Sequence, residues 1–170
     1  MADTEWWQRG PVEAIAPVLQ PFAHTLLQVR ESVGELVEGL TEAEWNARPG
    51  GVASCAFHVR HIPGVIDRLF TYSRGGSLSP EQFAALRSEG DPLSETQIAG
   101  ALGTLDSRIE QSLAELSGID VATLGDFRAV GRAKLPSTVI GCIGHAAEHA
   151  MRHVGQLSVT SRIARGIRAD

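Results

Sequence analysis

Four long segments of this 170-residue chain repeat their apolar residues every three to four positions. This is the spacing of one buried face of an α-helix. The predicted helices run from about Pro21 to Glu38, from Ser54 to about Tyr72 or Arg74, from Ser94 through Leu116, and from Pro136 and Ser137 to about Ile163. Four amphipathic helices with no convincing strands predict an all-α fold, a four-helix bundle.

Short extra elements connect these helices. Thr41-Glu42-Ala43-Glu44 has the pattern of a capping box and opens a short turn that carries Trp45. Ser79-Pro80-Glu81 predicts the start of a short helix that reaches about Arg87. Residues 119–135 are short and mixed, which leaves room for a minor hairpin before the last helix. The chain has no repeat and no linker long enough to separate domains, so we expect a single helical-bundle domain over residues 1–170.

The charge and composition of the chain exclude some classes of binding partner. Twenty acidic residues against fifteen basic ones give a net charge of −5, which argues against nucleic acid because a nucleic-acid binder needs a basic face. No run approaches the ~18 apolar residues of a membrane span, and no apolar leader begins the chain. Two cysteines are too few for a disulfide framework. We therefore expect a cytoplasmic protein that binds neither nucleic acid nor a membrane.

Five of the six histidines fall in two groups, and the larger group lies on the fourth helix. His145, His149 and His153 are four residues apart and share one face. Two histidines at this spacing can hold one metal ion, but His145 and His153 are separated by roughly 12 Å along the axis. Against the apolar stripe, His153 lies about 40° from the centre, His149 about 80° and His145 about 120°. His149 and His153 therefore point inward, and His145 lies on the flank.

The second group, His58 and His61, lies on the second helix, and either could complete a three-histidine set. Imidazole suits Zn, Ni, Fe or Cu. On a helical wheel, His58 lies nearer the centre of the apolar stripe than His61 by roughly 60°. Pro63 makes an ideal wheel unreliable at this point because a proline inside a helix kinks it. The residues alone leave both histidines open as the third ligand.

A competing pattern uses the same histidines. His145-Ala146-Ala147-Glu148-His149 matches H-x-x-E-H, the signature of inverted zinc proteases. That chemistry requires a further ligand well downstream, and few residues follow His149. Glu148 also lies about 180° from the centre of the apolar stripe, towards solvent. We therefore do not expect a protease.

Three stretches resemble the DinB family of metal-dependent four-helix proteins, which includes thiol-dependent transferases and isomerases. They are Trp45 with its Pro/Gly loop, Phe57-His58-Val59-Arg60-His61-Ile62 with the following Asp67-Arg68, and His149-Ala150-Met151-Arg152-His153-Val154-Gly155-Gln156-Leu157. The resemblance implies that His61, His149 and His153 are the metal ligands.

The resemblance gives a role to His58, and helical position suggests roles for two further polar residues. His58 would then support a ligand from behind or line the pocket, and the flanking position of His145 suits the same two roles. Gln156 follows His153 by three residues and could hydrogen-bond a ligand or a metal-bound water.

Three neutral imidazoles leave the full charge on a divalent ion, and three protein ligands leave positions open for a reaction. Such an ion deprotonates a bound thiol or lowers the pKa of a bound water. We expect an S-transferase that depends on a metal ion, Zn, Ni or Fe, and on a low-molecular-weight thiol. It would act on a small-molecule substrate and form a homodimer. The alternatives are a metal-dependent hydrolase that uses a metal-bound water, and a non-catalytic dimeric bundle that binds a ligand.

Overall fold

A computed structural model describes residues 4–166 of the chain. The four predicted amphipathic segments are the four long helices, and an all-α fold with one small hairpin is confirmed. In chain order the elements are α1 (Gln20–Val37), α2 (Glu42–Asn46), α3 (Cys55–Ser73), α4 (Pro80–Ser88), α5 (Glu95–Ser117), β1 (Phe127–Val130), β2 (Leu135–Thr138) and α6 (Val139–Gly166).

The long helices pack side by side around one apolar core. α3 lies against both α6 and α5, and α1 lies against the same two helices. Removal of apolar side chains from water is the main stabilising contribution to such a core. Its fully buried members include Leu26 of α1, Ile62 and Ile66 of α3, Ile109 of α5 and Leu157 of α6.

Side-chain caps start the short helices where the sequence predicts them. The Thr41 hydroxyl accepts a hydrogen bond from the backbone N–H of Glu44, whose carboxylate accepts one from the backbone N–H of Thr41. Ser79 and Gln82 make the same reciprocal pair at the start of α4. These bonds satisfy donors that the first turn of a helix leaves unpaired. Trp45 of α2 is buried against the core.

The predicted start of the last helix is wrong. Pro136 and Ser137 do not open α6 but belong to β2, opposite Ala129 and Arg128 of β1. Proline is tolerated at the edge of a sheet because it lacks the N–H that an interior strand must donate. The cap lies one residue later, where the Thr138 hydroxyl accepts a hydrogen bond from the backbone N–H of Gly141, 3.0 Å away. The hairpin predicted before the last helix is present.

α3 continues through Pro63 to Ser73, so the histidines and the second half of this helix belong to one element. Over residues 4–166, no helix combines the length and the apolar character that a membrane crossing requires.

Candidate metal centre

Three histidines from two helices meet between α3 and α6. The Nε2 atom of His149 lies 3.0 Å from Nε2 of His61 and 3.1 Å from Nε2 of His153. Within residues 4–166 these side chains form the one group of at least three potential metal ligands whose donor atoms lie within 4.8 Å of one another. The structure therefore brings together the three residues that the family resemblance indicates.

The four-residue step on α6 explains why His149 and His153 act as a pair. Successive members of such a step lie on one face of the helix, one turn apart. His61 reaches them from α3, and the ring of Phe57 lies parallel to the His61 ring, with 5.1 Å between the ring centres and 14° between the planes. Phe57 therefore forms an apolar wall beside the group.

His58 lies behind the group rather than in it. Its Nδ1 atom is 2.9 Å from Nδ1 of His153, and the side chain is almost completely buried. The helical wheel places His58 nearer the apolar stripe, and His58 is indeed the more buried of the two, but it is His61 whose Nε2 atom meets the α6 histidines. Residues three apart on a helix point in directions about 60° apart, and the Nε2 atoms of α6 lie on the His61 side of α3.

Burial keeps several of these rings neutral. It lowers the pKa of His153 to about 3, with a further contribution from repulsion by a protonated His61. The same two causes lower the pKa of His58 to about 4. Burial is also the main cause that lowers the pKa of His149. A neutral imidazole with a free lone pair is the form that binds a metal ion.

A buried ion pair lies on the far side of His61. The Nδ1 atom of His61 is 2.7 Å from Oε2 of Glu89, and the Arg68 guanidinium donates to Oε1 of the same carboxylate at 2.7 Å. Burial acts to raise the pKa of Glu89, but the hydrogen bonds from His61 and Arg68 outweigh it and lower that pKa. Glu89 follows α4 and is 28 residues from His61, so no spacing in the sequence links the two.

The remaining predicted site residues are at the surface. His145 is exposed and faces the carboxylate of Glu148 at 3.3 Å, while its ring meets the His149 ring edge-on with 5.3 Å between centres. Gln156 is exposed on the next turn. The Nδ1 atom of His149 is buried and has no hydrogen-bond partner among residues 4–166. His149 thus differs from His61 and His153, whose Nδ1 atoms are both engaged.

A cavity of about 950 Å³ lies next to the histidines but does not include them. It is bounded by α3, the end of α4 and α5, and Glu89 separates it from His61. Its lining is mixed, and the small residues Gly64, Gly100, Gly103, Thr104 and Ser107 are among its members.

Comparison with known proteins gives a family and a fold. The sequence matches the family model described as the DinB superfamily over residues 25–157, a range that contains both histidine groups. The fold is similar to the crystal structure of a conserved protein from Enterococcus faecalis. That protein is 21% identical, the TM-score is 0.72, and the alignment covers 89% of this chain and 99% of the other. A search of curated proteins finds no significant match.

Proposed function

The chain belongs to the DinB superfamily, and from this premise we propose that it is an enzyme that depends on one divalent transition-metal ion, Zn, Ni or Fe. In this proposal His61, His149 and His153 hold the ion through their Nε2 atoms. The observation that carries the proposal is the close approach of these three nitrogens from two different helices.

The distances fit a single ion. A Zn–N bond is about 2.0–2.1 Å long, so two imidazole nitrogens on one ion lie about 2.8–3.4 Å apart for bond angles between about 90° and 109°. The Nε2–Nε2 distances from His149 to His61 and to His153, 3.0 and 3.1 Å, lie in this range.

The proton count also favours a cation. A neutral imidazole carries a single N–H, and the His149 Nε2 atom is within hydrogen-bond distance of two other Nε2 atoms. The His149 Nε2 atom has either one proton or one lone pair, so it forms a hydrogen bond with only one of these neighbours whichever partner donates, and the His61 proton is engaged at Nδ1 if that atom donates to Glu89. A cation at the centre removes the resulting repulsion between lone pairs.

The donor set indicates the type of chemistry. No carboxylate joins the three imidazoles within the described chain, so a bound divalent ion would keep its full charge and would favour deprotonation of a coordinated thiol. Phe57 supplies an apolar surface next to this position. Together with the thiol-dependent members that the family resemblance implies, this supports a low-molecular-weight-thiol S-transferase that acts on a small electrophile, in a homodimer.

Metal content is the direct test of the site. Protein purified without chelators should contain about one transition-metal ion per chain by elemental analysis, and His149→Ala should contain almost none. His24→Ala is the matched control, because His24 lies on α1 and bonds the Gly10 carbonyl at 2.9 Å, away from the group. Equal metal content in the wild type and His149→Ala would reject the proposal.

Turnover tests the reaction class. Metal-loaded protein is mixed with glutathione, cysteine or dithiothreitol and with 1-chloro-2,4-dinitrobenzene. The thiolate sulfur forms a bond to the ring carbon, the C–Cl bond breaks, chloride leaves and the thiol proton passes to solvent. We expect metal-dependent product formation that His149→Ala loses.

Hydrolysis of p-nitrophenyl acetate without thiol would instead favour the hydrolase alternative. The non-catalytic bundle would be favoured if the purified protein contains no metal, shows no turnover in either assay and has the mass of a dimer by light scattering.

A further inference from the structure

We infer that Glu89 is a positioning residue that selects the proton-bearing nitrogen of His61 and so directs its Nε2 lone pair towards His149 and His153. This inference rests on the proposed metal site and deepens it. The juxtaposition that carries it is a buried carboxylate between a guanidinium and the Nδ1 atom of His61, each at 2.7 Å.

The arrangement leaves Glu89 no role but that of an acceptor. A guanidinium has donors only, so Arg68 must donate to Oε1. An ionised carboxylate has no proton to give, so His61 must donate its Nδ1–H to Oε2. Since a neutral imidazole has only one N–H, the Nε2 atom of His61 is then left with its lone pair free. Carboxylate partners of this kind also raise the basicity of a ligating histidine.

The helix surface makes room for this pair at Gly64, one turn beyond His61. A Cβ atom at Gly64 would lie 2.5 Å from Oε1 of Glu89 and 2.9 Å from Nη1 of Arg68. A side chain at this position would force the carboxylate or the guanidinium to shift from where it lies. The segment after α4 can therefore reach His61 because α3 carries a glycine there.

A purely structural ion pair would also hold the segment after α4 against α3. That alternative predicts that removal of the carboxylate lowers stability but leaves the tautomer of His61 unchanged. If Glu89 instead positions His61, removal of its carboxylate changes the tautomer itself.

The main variant is Glu89→Gln. Arg68 can only donate, so the amide oxygen of the variant side chain turns to Arg68 and its NH₂ group faces Nδ1 of His61. His61 must then accept at Nδ1 and carry its proton on Nε2, where it blocks metal binding. We expect affinity for Zn²⁺ and Co²⁺, measured by competition with a chromophoric chelator, to fall about 10- to 100-fold, the usual effect of removing such a partner.

Glu148→Gln is the matched control for charge. It removes one carboxylate from the ligand-bearing helix α6, but Glu148 is exposed and contacts His145 and Arg152 rather than a predicted ligand. We expect its metal affinity to stay within about twofold of the wild type. A comparable loss in both variants would show a general effect of charge and would overturn the inference.

The tautomer itself is read without metal. In ¹⁵N-histidine NMR spectra of the metal-free protein, the His61 signals should report the Nδ1–H form in the wild type and the Nε2–H form in Glu89→Gln. An unchanged tautomer would overturn the inference even if metal binding weakens. If the wild type binds no metal, the proposed function fails, but this measurement still decides the role of Glu89.

A glycine pair tests the same contact without touching the carboxylate. Gly64→Ala should displace Glu89 and weaken Co²⁺ binding at least tenfold. Gly103→Ala borders the same cavity from α5, where an added Cβ meets no atom within 4 Å, and should bind Co²⁺ like the wild type. These variants also decide the question if Glu89→Gln does not fold. Wild-type affinity in a folded Gly64→Ala would contradict the inference.

Discussion

His61 and His149 face each other across 3.0 Å at their Nε2 atoms, but the opposite ends of the two rings differ. The Nδ1 atom of His61 meets a buried carboxylate that is itself held by Arg68. The Nδ1 atom of His149 is buried without a hydrogen-bond partner in the described chain, and His145, whose ring meets the His149 ring edge-on, is exposed. One ring is held by tertiary contacts, whereas the other depends on its helix.

The difference follows from how each helix presents its histidines. On α6 the four-residue step alone places His149 and His153 on one face. On α3, His58 and His61 point in directions about 60° apart, and the helix does not determine which of them meets α6. Glu89, which arrives from the end of α4, engages His61 and not His58. A ligand whose aim is ambiguous on its own helix is the one with a partner from elsewhere.

The largest effect is expected when the ion pair next to His61 is broken. Arg68→Met leaves the Glu89 carboxylate buried without its guanidinium, and loss of one member of a buried pair costs about 3–5 kcal/mol. We expect the free energy of unfolding of the metal-free protein to fall by this amount in urea denaturation. Arg152→Met is the matched control on the His149 side, since its ion pair with Glu148 is exposed and such pairs contribute about 0–1 kcal/mol. Equal losses would remove the contrast between the two sides.

The sequence predicts the α6 half of the site better than the α3 half, and for a physical reason. The step between His149 and His153 is a local property of one helix, so the wheel selects them without knowledge of the fold. Only the family resemblance selects His61, because the wheel favours His58. Glu89 could not be predicted at all, since its contact with His61 spans 28 residues and depends on the path of the chain after α4.

The fold shows the same distinction between local and tertiary information. Periodicity and capping residues predict the long helices and the starts of α2 and α4, because these signals act within a few residues. The local pattern misplaces the start of α6 because Pro136 and Ser137 also suit a strand that pairs with β1. That pairing is set by the partner strand, which the local signal does not include.

The buried imidazole of His58, which lies next to His153, should make the free energy of unfolding fall at acid pH. His58 has a pKa lowered to about 4 in the folded chain, against an ordinary value of 6.5. Between these values the unfolded chain binds a proton that the folded chain does not, so stability falls as the pH drops from 6.5 to 4. The expected contribution is up to about 3 kcal/mol at pH 4, measured by urea denaturation of metal-free protein at a series of pH values.

His58→Gln isolates this contribution. Glutamine does not titrate, and its amide can still bond His153. Between pH 4 and 6.5 the variant should therefore take up about one proton fewer on unfolding than the wild type does. His153, with a pKa near 3, should continue to contribute a slope in the same direction. His24→Gln on α1 is the control. A slope unchanged by His58→Gln would show that His58 is charged in the folded protein.

A smaller effect is expected from the aromatic wall of His61. Phe57 stacks on its ring, and such pairs are worth about 0.5–1.5 kcal/mol beyond the area they bury. Phe57→Leu should lower the free energy of unfolding by about 1 kcal/mol and weaken Co²⁺ binding severalfold, because the His61 ring loses a surface that limits its rotation. Phe127→Leu is the control, since Phe127 lies on the hairpin with 65% of its surface exposed. Equal effects from both changes would mean that the stack does not hold His61.

The smallest effect is predicted next to His149, whose Nδ1 atom has no hydrogen-bond partner in the described chain. This prediction is the strictest test of the comparison between His61 and His149. His145 touches the His149 ring only edge-on, and its contact with Glu148 is exposed. His145→Gln should therefore change the free energy of unfolding by less than about 0.5 kcal/mol and leave the dissociation constant for Co²⁺ within about twofold. Gln156→Ala, on the exposed turn beyond His153, should behave in the same way. A tenfold loss of affinity in His145→Gln would mean that His149 is held from behind after all, and that both helices need a partner to aim their ligands.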